Sequence, residues 1–240
     1  MQKKSLISNI IELIIPKLCV ACQSKLSEGE RILCTSCRIN IPYTYDWLES
    51  NNKTFELLNA DYPIFWAASM CYYRKNDIFS RAILNMKFRN QSQSAKEFGA
   101  MFARVLKDKE ISVKDVDIII PLPLHPLKKL WRGYNQSELI ADGMASIFGC
   151  DVEKKAVRRT VNNRAQSSIK NQKRRLKNSE NIFRVAEGEK LDGKHILIVD
   201  DVITTGSTIH SLIKCITDSC DNCTISVATL ARADRGKSKH

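Results

Sequence analysis

The chain has 240 residues, 43% of them hydrophobic, with 38 Lys and Arg against 26 Asp and Glu and a formal net charge of +12. That apolar share suffices for a real core and excludes a chain too polar to fold, while the length admits one large domain or a small one beside a medium one. The positive excess points to anionic ligands, nucleic acid or an acidic partner without choosing among them.

Lys3 and Lys4 precede an apolar run of Leu6, Ile7, Ile10, Ile11, Leu13, Ile14 and Ile15. Asn9 and Glu12 interrupt the run, Pro16 ends it, and no small-residue cleavage site follows, so it does not read as a signal peptide. It is also too short to span a bilayer. The spacing of Leu6, Ile10, Leu13 and Ile14 predicts an amphipathic helix packed on the body of the protein. The expected location is the cytoplasm.

Cys19-Val20-Ala21-Cys22 and Cys34-Thr35-Ser36-Cys37 form two C-x2-C knuckles eleven residues apart. Four thiolates at that spacing can occupy the corners of a tetrahedron, the geometry of structural Zn²⁺, with iron–sulfur or a disulfide as the alternatives. Four sulfur ligands leave no open position, so the metal's role is structural. A third pair, Cys220-Asp221-Asn222-Cys223, reads as a tight turn before a strand at Thr224 to Leu230. Cys71, Cys150 and Cys215 have apolar neighbours and read as core thiols.

Residues 38 to 63 hold Pro42, Pro63 and a polar Asn51-Asn52-Lys53 stretch, the composition of a linker or irregular connection. A strand is expected over Ile64 to Tyr73, and helices over Ile78 to Phe88 and Ser92 to Leu106. Asp117 to Ile120 is a short apolar strand. Pro121-Leu122-Pro123-Leu124-His125-Pro126 follows it, an extended loop stiffened by proline. In open α/β sheets, ligands bind at such strand ends. The next segment contains Lys128, Lys129, Arg132 and the run Gly133-Tyr134-Asn135-Gln136. These cations either serve an anionic ligand or are simply solvated. His125 is a candidate base, although a lone loop histidine is more often structural.

From Asp151 to Glu180 there are ten Lys or Arg against three acids, a net +7. Apolar periodicity is poor, and the segment reads as a long mobile loop with one helical turn set. It could close over a site, bind nucleic acid, or form a solvated face. Aromatics are absent between Asp151 and Asn181, so bases have no stacking platform there.

The run His195-Ile196-Leu197-Ile198-Val199 has the length and branching of a buried parallel strand. It leads into Asp200-Asp201-Val202-Ile203-Thr204-Thr205-Gly206-Ser207-Thr208 and the start of a helix. Hydroxyls and backbone N–H groups at a helix N-terminus welcome an anion, and Gly206 lets the backbone come close to a phosphate. The two acids would repel a phosphate, so they serve another part of the ligand. Sugar hydroxyls, with or without Mg²⁺, are their natural partners.

This segment resembles the phosphoribosyl pyrophosphate (PRPP) loop of type I phosphoribosyltransferases. The four-cysteine front end, Pro121 to Pro126, Arg132 to Gln136 and Asp200 to Thr208 together resemble the ComF family, from Cys19 to about Leu230. That family is named for bacterial competence. The resemblance implies an α/β fold: a central, mainly parallel sheet flanked by helices, with a small N-terminal zinc module. Expected divisions are 1–45 for the N-terminal helix and zinc module, 46–110 for a connecting or hood region, and 111–235 for the phosphoribosyltransferase core. It implies PRPP bound with Mg²⁺ by Val199, Asp200, Asp201, Val202, Ile203, Thr204, Thr205, Gly206, Ser207 and Thr208. The two acids would hold the ribose hydroxyls. Leu122, Pro123, Leu124 and His125 would form the pyrophosphate loop, with Lys128 and Arg132 stabilising the leaving group. Arg158, Arg159, Arg164 and Arg175 would lie on a closing loop, where Asn178 fits the family pattern and Gln166 sits one residue off it. The reaction would displace pyrophosphate from PRPP by a nitrogen nucleophile. The alternative is a non-catalytic PRPP-binding protein that takes single-stranded DNA or a competence helicase. A homodimer is compatible with either.

Overall fold

The computed structural model describes residues 16–59, 62–75, 77–86, 92–108, 115–160 and 182–234. The expected N-terminal helix and the loop residues Arg164, Gln166, Arg175 and Asn178 lie outside them.

Five parallel strands form the central sheet: β1 (Trp66–Tyr73), β2 (Ile118–Pro121), β3 (Asp151–Val152), β6 (His195–Ile203) and β7 (Thr224–Ala233), in the order β1-β7-β6-β2-β3. Strands β4 (Val157–Arg159) and β5 (Phe183–Val185) form a separate antiparallel hairpin. The helices are α1 (Thr35–Ile39), α2 (Lys53–Leu58), α3 (Ile78–Asn85), α4 (Ser92–Asp108), α5 (Pro126–Arg132), α6 (Gln136–Phe148) and α7 (Ser207–Thr217).

β6 is central and buried on both faces, as its continuous apolar run requires. Leu197 and Val199 join one core with Phe98 and Phe102 of α4 and Ile140 and Met144 of α6. Ile196 and Ile198 join the opposite core with Ile209, Leu212, Ile213 and Ile216 of α7. Helices thus cover both faces of a parallel sheet. α4 and α6 cross with their backbones nearly touching. A Cβ at Gly99 would stand 2.1 Å from the Ile140 carbonyl oxygen, and one at Gly143 would stand 2.0 Å from that of Lys96.

Three local expectations need correction. The stretch 38–63, read as linker, contains a 3₁₀ turn at Asp46–Leu48 and helix α2. Asn52 caps α2 by accepting from Thr54 and Phe55 N–H, and its amide donates to the Asp46, Glu49 and Ala67 carbonyls. Secondly, the basic segment begins as strand, not loop: β3 extends the sheet, and Arg158 and Arg159 sit on β4. Thirdly, the helix expected to reach Phe88 ends at Asn85. In addition, β1 from the 46–110 stretch pairs with β7, so the sheet draws on residues well before 111.

Candidate functional site

Asp200 and Asp201 stand in the last four residues of β6, which runs four residues beyond the expected Val199. The next residues, Thr204 to Gly206, form a tight bend, and α7 starts at Ser207. Gly206 is the N-cap at φ 79°, a left-handed conformation that favours glycine. It offers no side-chain acceptor to cap α7. Thr205 Oγ1 is hydrogen-bonded to Ser207 Oγ at 3.1 Å. Asp200, Val202, Ile203, Thr204, Thr205, Gly206, Ser207, Thr208 and Ile209 line a small concavity.

Asp200 is 9% exposed. Its Oδ1 accepts from Ser137 Oγ at 3.0 Å and from Asp201 N–H at 2.8 Å. Asp201 Oδ1 accepts from Val202 N–H at 2.7 Å. These bonds meet part of the cost of keeping a carboxylate at a buried strand end. The Arg159 guanidinium of β4 lies near Asp200 and over the Phe183 ring, 5.6 Å from its centroid. Burial pulls the Arg159 pKa down, and the Asp200 carboxylate works against that.

The loop after β2 lies beside this one because β2 pairs with β6. Pro121 is opposite Val199, and Leu122 N–H donates to the Val199 carbonyl at 2.8 Å. The expected pyrophosphate loop and PRPP loop therefore share one carboxyl edge of the sheet, where α/β ligands bind. His125 is a helix cap: its Nδ1 accepts from Leu127 N–H at 3.3 Å. Of the expected cations, Lys129 is paired with Glu138 at 2.7 Å, and Arg132 donates to Gln136 Oε1 at 3.1 Å. Sequence reasoning missed Ser137. Its partner Asp200 is 63 residues away, and only its place directly after Gln136 hinted at a role.

The four expected metal ligands do converge. The Sγ atoms of Cys19, Cys22, Cys34 and Cys37 all lie within 4.8 Å of one another. Cys22 and Cys34 are 3.7 Å apart. Sulfurs on a Zn–S tetrahedron stand about 3.8 Å apart, so the set fits zinc. Cys34 caps α1 by accepting from Cys37 N–H. Hydrogen bonds from Ser24 lower the Cys22 thiol pKa to about 6, whereas burial and the other thiols push Cys37 up. Glu30 buttresses the second knuckle by accepting from Ser27 N–H, Thr35 N–H and Thr35 Oγ1. Among the described residues no other group of three or more His, Cys, Asp or Glu side chains converges this way. Cys220 and Cys223 flank a turn with Asn222 at φ 54°. The thiol of buried Cys71 donates to the Leu230 carbonyl at 3.0 Å, as a core cysteine would.

No helix among the described residues is long and apolar enough to cross a membrane. Residues 135–240 match the phosphoribosyl transferase domain. Competence protein ComFC of Bacillus subtilis (strain 168) is 25% identical over 221 residues, covering 90% of this chain and 85% of that protein. DNA utilization protein YhgH of Escherichia coli (strain K12) is 26% identical over 214 residues, covering 83% and 90%. Competence protein F of Haemophilus influenzae is 28% identical over 135 residues, covering 55% and 58%. The four-cysteine cluster in front of a parallel α/β sheet, the phosphoribosyl transferase domain match and relatives of these names along most of its length all support the ComF family of the phosphoribosyltransferase superfamily.

Proposed function

We propose that the protein binds PRPP with Mg²⁺ at the carboxyl edge of β2 and β6 and transfers its phosphoribosyl group to a nitrogen acceptor, releasing pyrophosphate. The observation that carries this reading is the paired acids near the end of β6, with two residues between them and a hydroxyl-rich bend into α7. Asp200 and Asp201 bind the ribose hydroxyls. Thr204 to Thr208 and the first turn of α7 take the 5′-phosphate. The loop Leu122 to His125, with Lys128 and Arg132, meets the pyrophosphate, whose departure needs stabilised negative charge. Mg²⁺ would supply further charge neutralisation when bound. The β4–β5 hairpin, with Arg158 and Arg159, would cover the site and exclude water. The four-cysteine cluster would hold Zn²⁺ as a structural ion. We associate this activity with DNA uptake, a reading supported by relatives named competence protein and DNA utilization protein, and we locate the protein in the cytoplasm. Turnover is tested by pyrophosphate release from PRPP in the presence of a panel of nucleobases. Release that depends on one base supports transfer; none with any base removes the enzymatic reading.

A second reading rests on α5. Leu127, Leu130 and Trp131 are 60%, 77% and 80% exposed on this helix, beside Lys128 and Lys129. An exposed indole among cations is a stacking platform for single-stranded DNA, which the basic segment itself lacks. In this reading PRPP is bound without turnover, and DNA or a helicase is the partner. Oligonucleotide binding that weakens steeply with salt and falls on Trp131→Ala supports it.

A further inference from the structure

The start of α6 makes side-chain bonds both to the loop after β2 and to β6. Asn135 and Ser137 are buried at 3% and 4% exposure. The Asn135 amide donates to the Leu122 carbonyl in the loop after β2 at 3.0 Å. Its Oδ1 accepts from Ser137 N–H at 3.2 Å and so caps α6. Ser137 Oγ donates to Asp200 Oδ1 on β6. One residue earlier, Tyr134 Oη donates to the Met86 carbonyl at the end of α3. The loop after β2 and the acid-bearing part of β6 are thus gripped by residues two apart on one helix start.

We propose that Asn135 and Ser137 are the positioning residues of the PRPP site. Ser137 fixes the plane of the Asp200 carboxylate for the ribose, and Asn135 fixes the loop that meets the pyrophosphate. Oδ1 of Asp200 has two donors, Ser137 Oγ and Asp201 N–H. Losing the Ser137 donor removes one of these two restraints on the carboxylate's terminal torsion, which is intrinsically broad. Losing the Asn135 amide leaves the Leu122 carbonyl without its side-chain donor and the loop free to shift. Neither residue need touch the ligand. This inference rests on reading the site as one for PRPP.

The two roles predict a crossed pattern in binding. The probes are PRPP, ribose 5-phosphate and pyrophosphate, each with Mg²⁺, measured calorimetrically on the full chain. Ser137→Ala should weaken PRPP and ribose 5-phosphate about tenfold, the weight of one hydrogen bond to a charged group, and spare pyrophosphate. Ser137→Thr keeps the hydroxyl and should restore affinity. Asn135→Ser keeps a cap for α6 but cannot reach Leu122, so it should weaken PRPP and pyrophosphate and spare ribose 5-phosphate. In an Asp200→Asn background, Ser137→Ala should add little, because it acts through Asp200. Equal losses for all three probes, or none, overturn the positioning roles while wild-type PRPP binding stands. Wild-type protein that binds neither PRPP nor ribose 5-phosphate overturns the PRPP reading and the positioning roles together.

Discussion

Leu58 packs directly on Gly206: a Cβ on that glycine would stand 3.2 Å from Leu58 Cδ2 and 3.3 Å from the His210 ring. His210 Nε2, one turn into α7, donates to the Leu57 carbonyl at 3.0 Å. The end of α2 is therefore seated against the bend to which the proposed phosphate subsite is assigned. A segment early in the chain thus shapes a bend 148 residues later, from Leu58 to Gly206.

Gly206→Ala meets two penalties there, a left-handed backbone at φ 79° and a crowded Cβ. The expected destabilisation is of order 1–3 kcal/mol in urea denaturation. PRPP affinity should fall more than tenfold because the bend must shift to relieve the strain. Unchanged affinity would mean that the bend does not hold the phosphate.

The four-cysteine cluster should carry one zinc per chain when the protein is purified without chelator. Cys19, Val20, Ala21 and Leu33 belong to the main hydrophobic core, so the cluster is tied to the body of the fold. Cys34→Ser or chelation should lower the melting temperature cooperatively. Acid should release the metal, because protons compete for the thiolates. Metal analysis that finds no zinc contradicts the site.

Asp46 and Arg232 form a buried pair, Oδ1 to Nη2 at 3.1 Å, at 5% and 10% side-chain exposure. Asp46 Oδ2 also accepts from Thr54 Oγ1 at 2.5 Å and Ser69 N–H at 3.2 Å, tying α2 and β1 together. Arg232→Met strips the charge partner from a buried carboxylate and should cost about 3–5 kcal/mol. Chemical denaturation measures it, and a cost below about 1 kcal/mol would place the pair with exposed ones.

His195 is buried at the start of β6, with Nε2 2.8 Å from Ser226 Oγ and its ring against Phe65. Burial lowers its pKa below the ordinary value of 6.5. The unfolded chain then binds a proton that the folded chain refuses. Stability should accordingly fall as pH drops from 6.5 toward the lower folded value, by at most about 1.4 kcal/mol per pH unit. His195→Gln should flatten that portion of the pH–stability curve; an unchanged slope would mean that the ring titrates normally.

The parts legible in the sequence were those written contiguously. His195 to Thr208 carries strand, acids, bend and helix start in one run, and two C-x2-C knuckles name their own ligands. What sequence reading missed depends on distant partners. Asn52 looks like a loop residue until its amide is seen to bind the Ala67 carbonyl. Arg158 and Arg159 look like part of a mobile loop because their strand partners, Arg184 and Phe183, lie across the whole basic segment. His125, a candidate base in a loop where histidine is more often structural, has the structural role of capping α5 through a partner two residues on. Ser137 has no signal of its own, since its meaning comes from Asp200 on another strand.

The most direct measurement is thermal stability with and without PRPP plus Mg²⁺, for the wild type beside the Asp200→Ala/Asp201→Ala double variant. Ligand at about a hundred times its dissociation constant adds roughly 2.7 kcal/mol to a folded state that binds it. A rise in melting temperature for the wild type alone is expected. An equal rise in the double variant would contradict the ribose assignment of the two acids, and no rise in either would contradict PRPP binding itself.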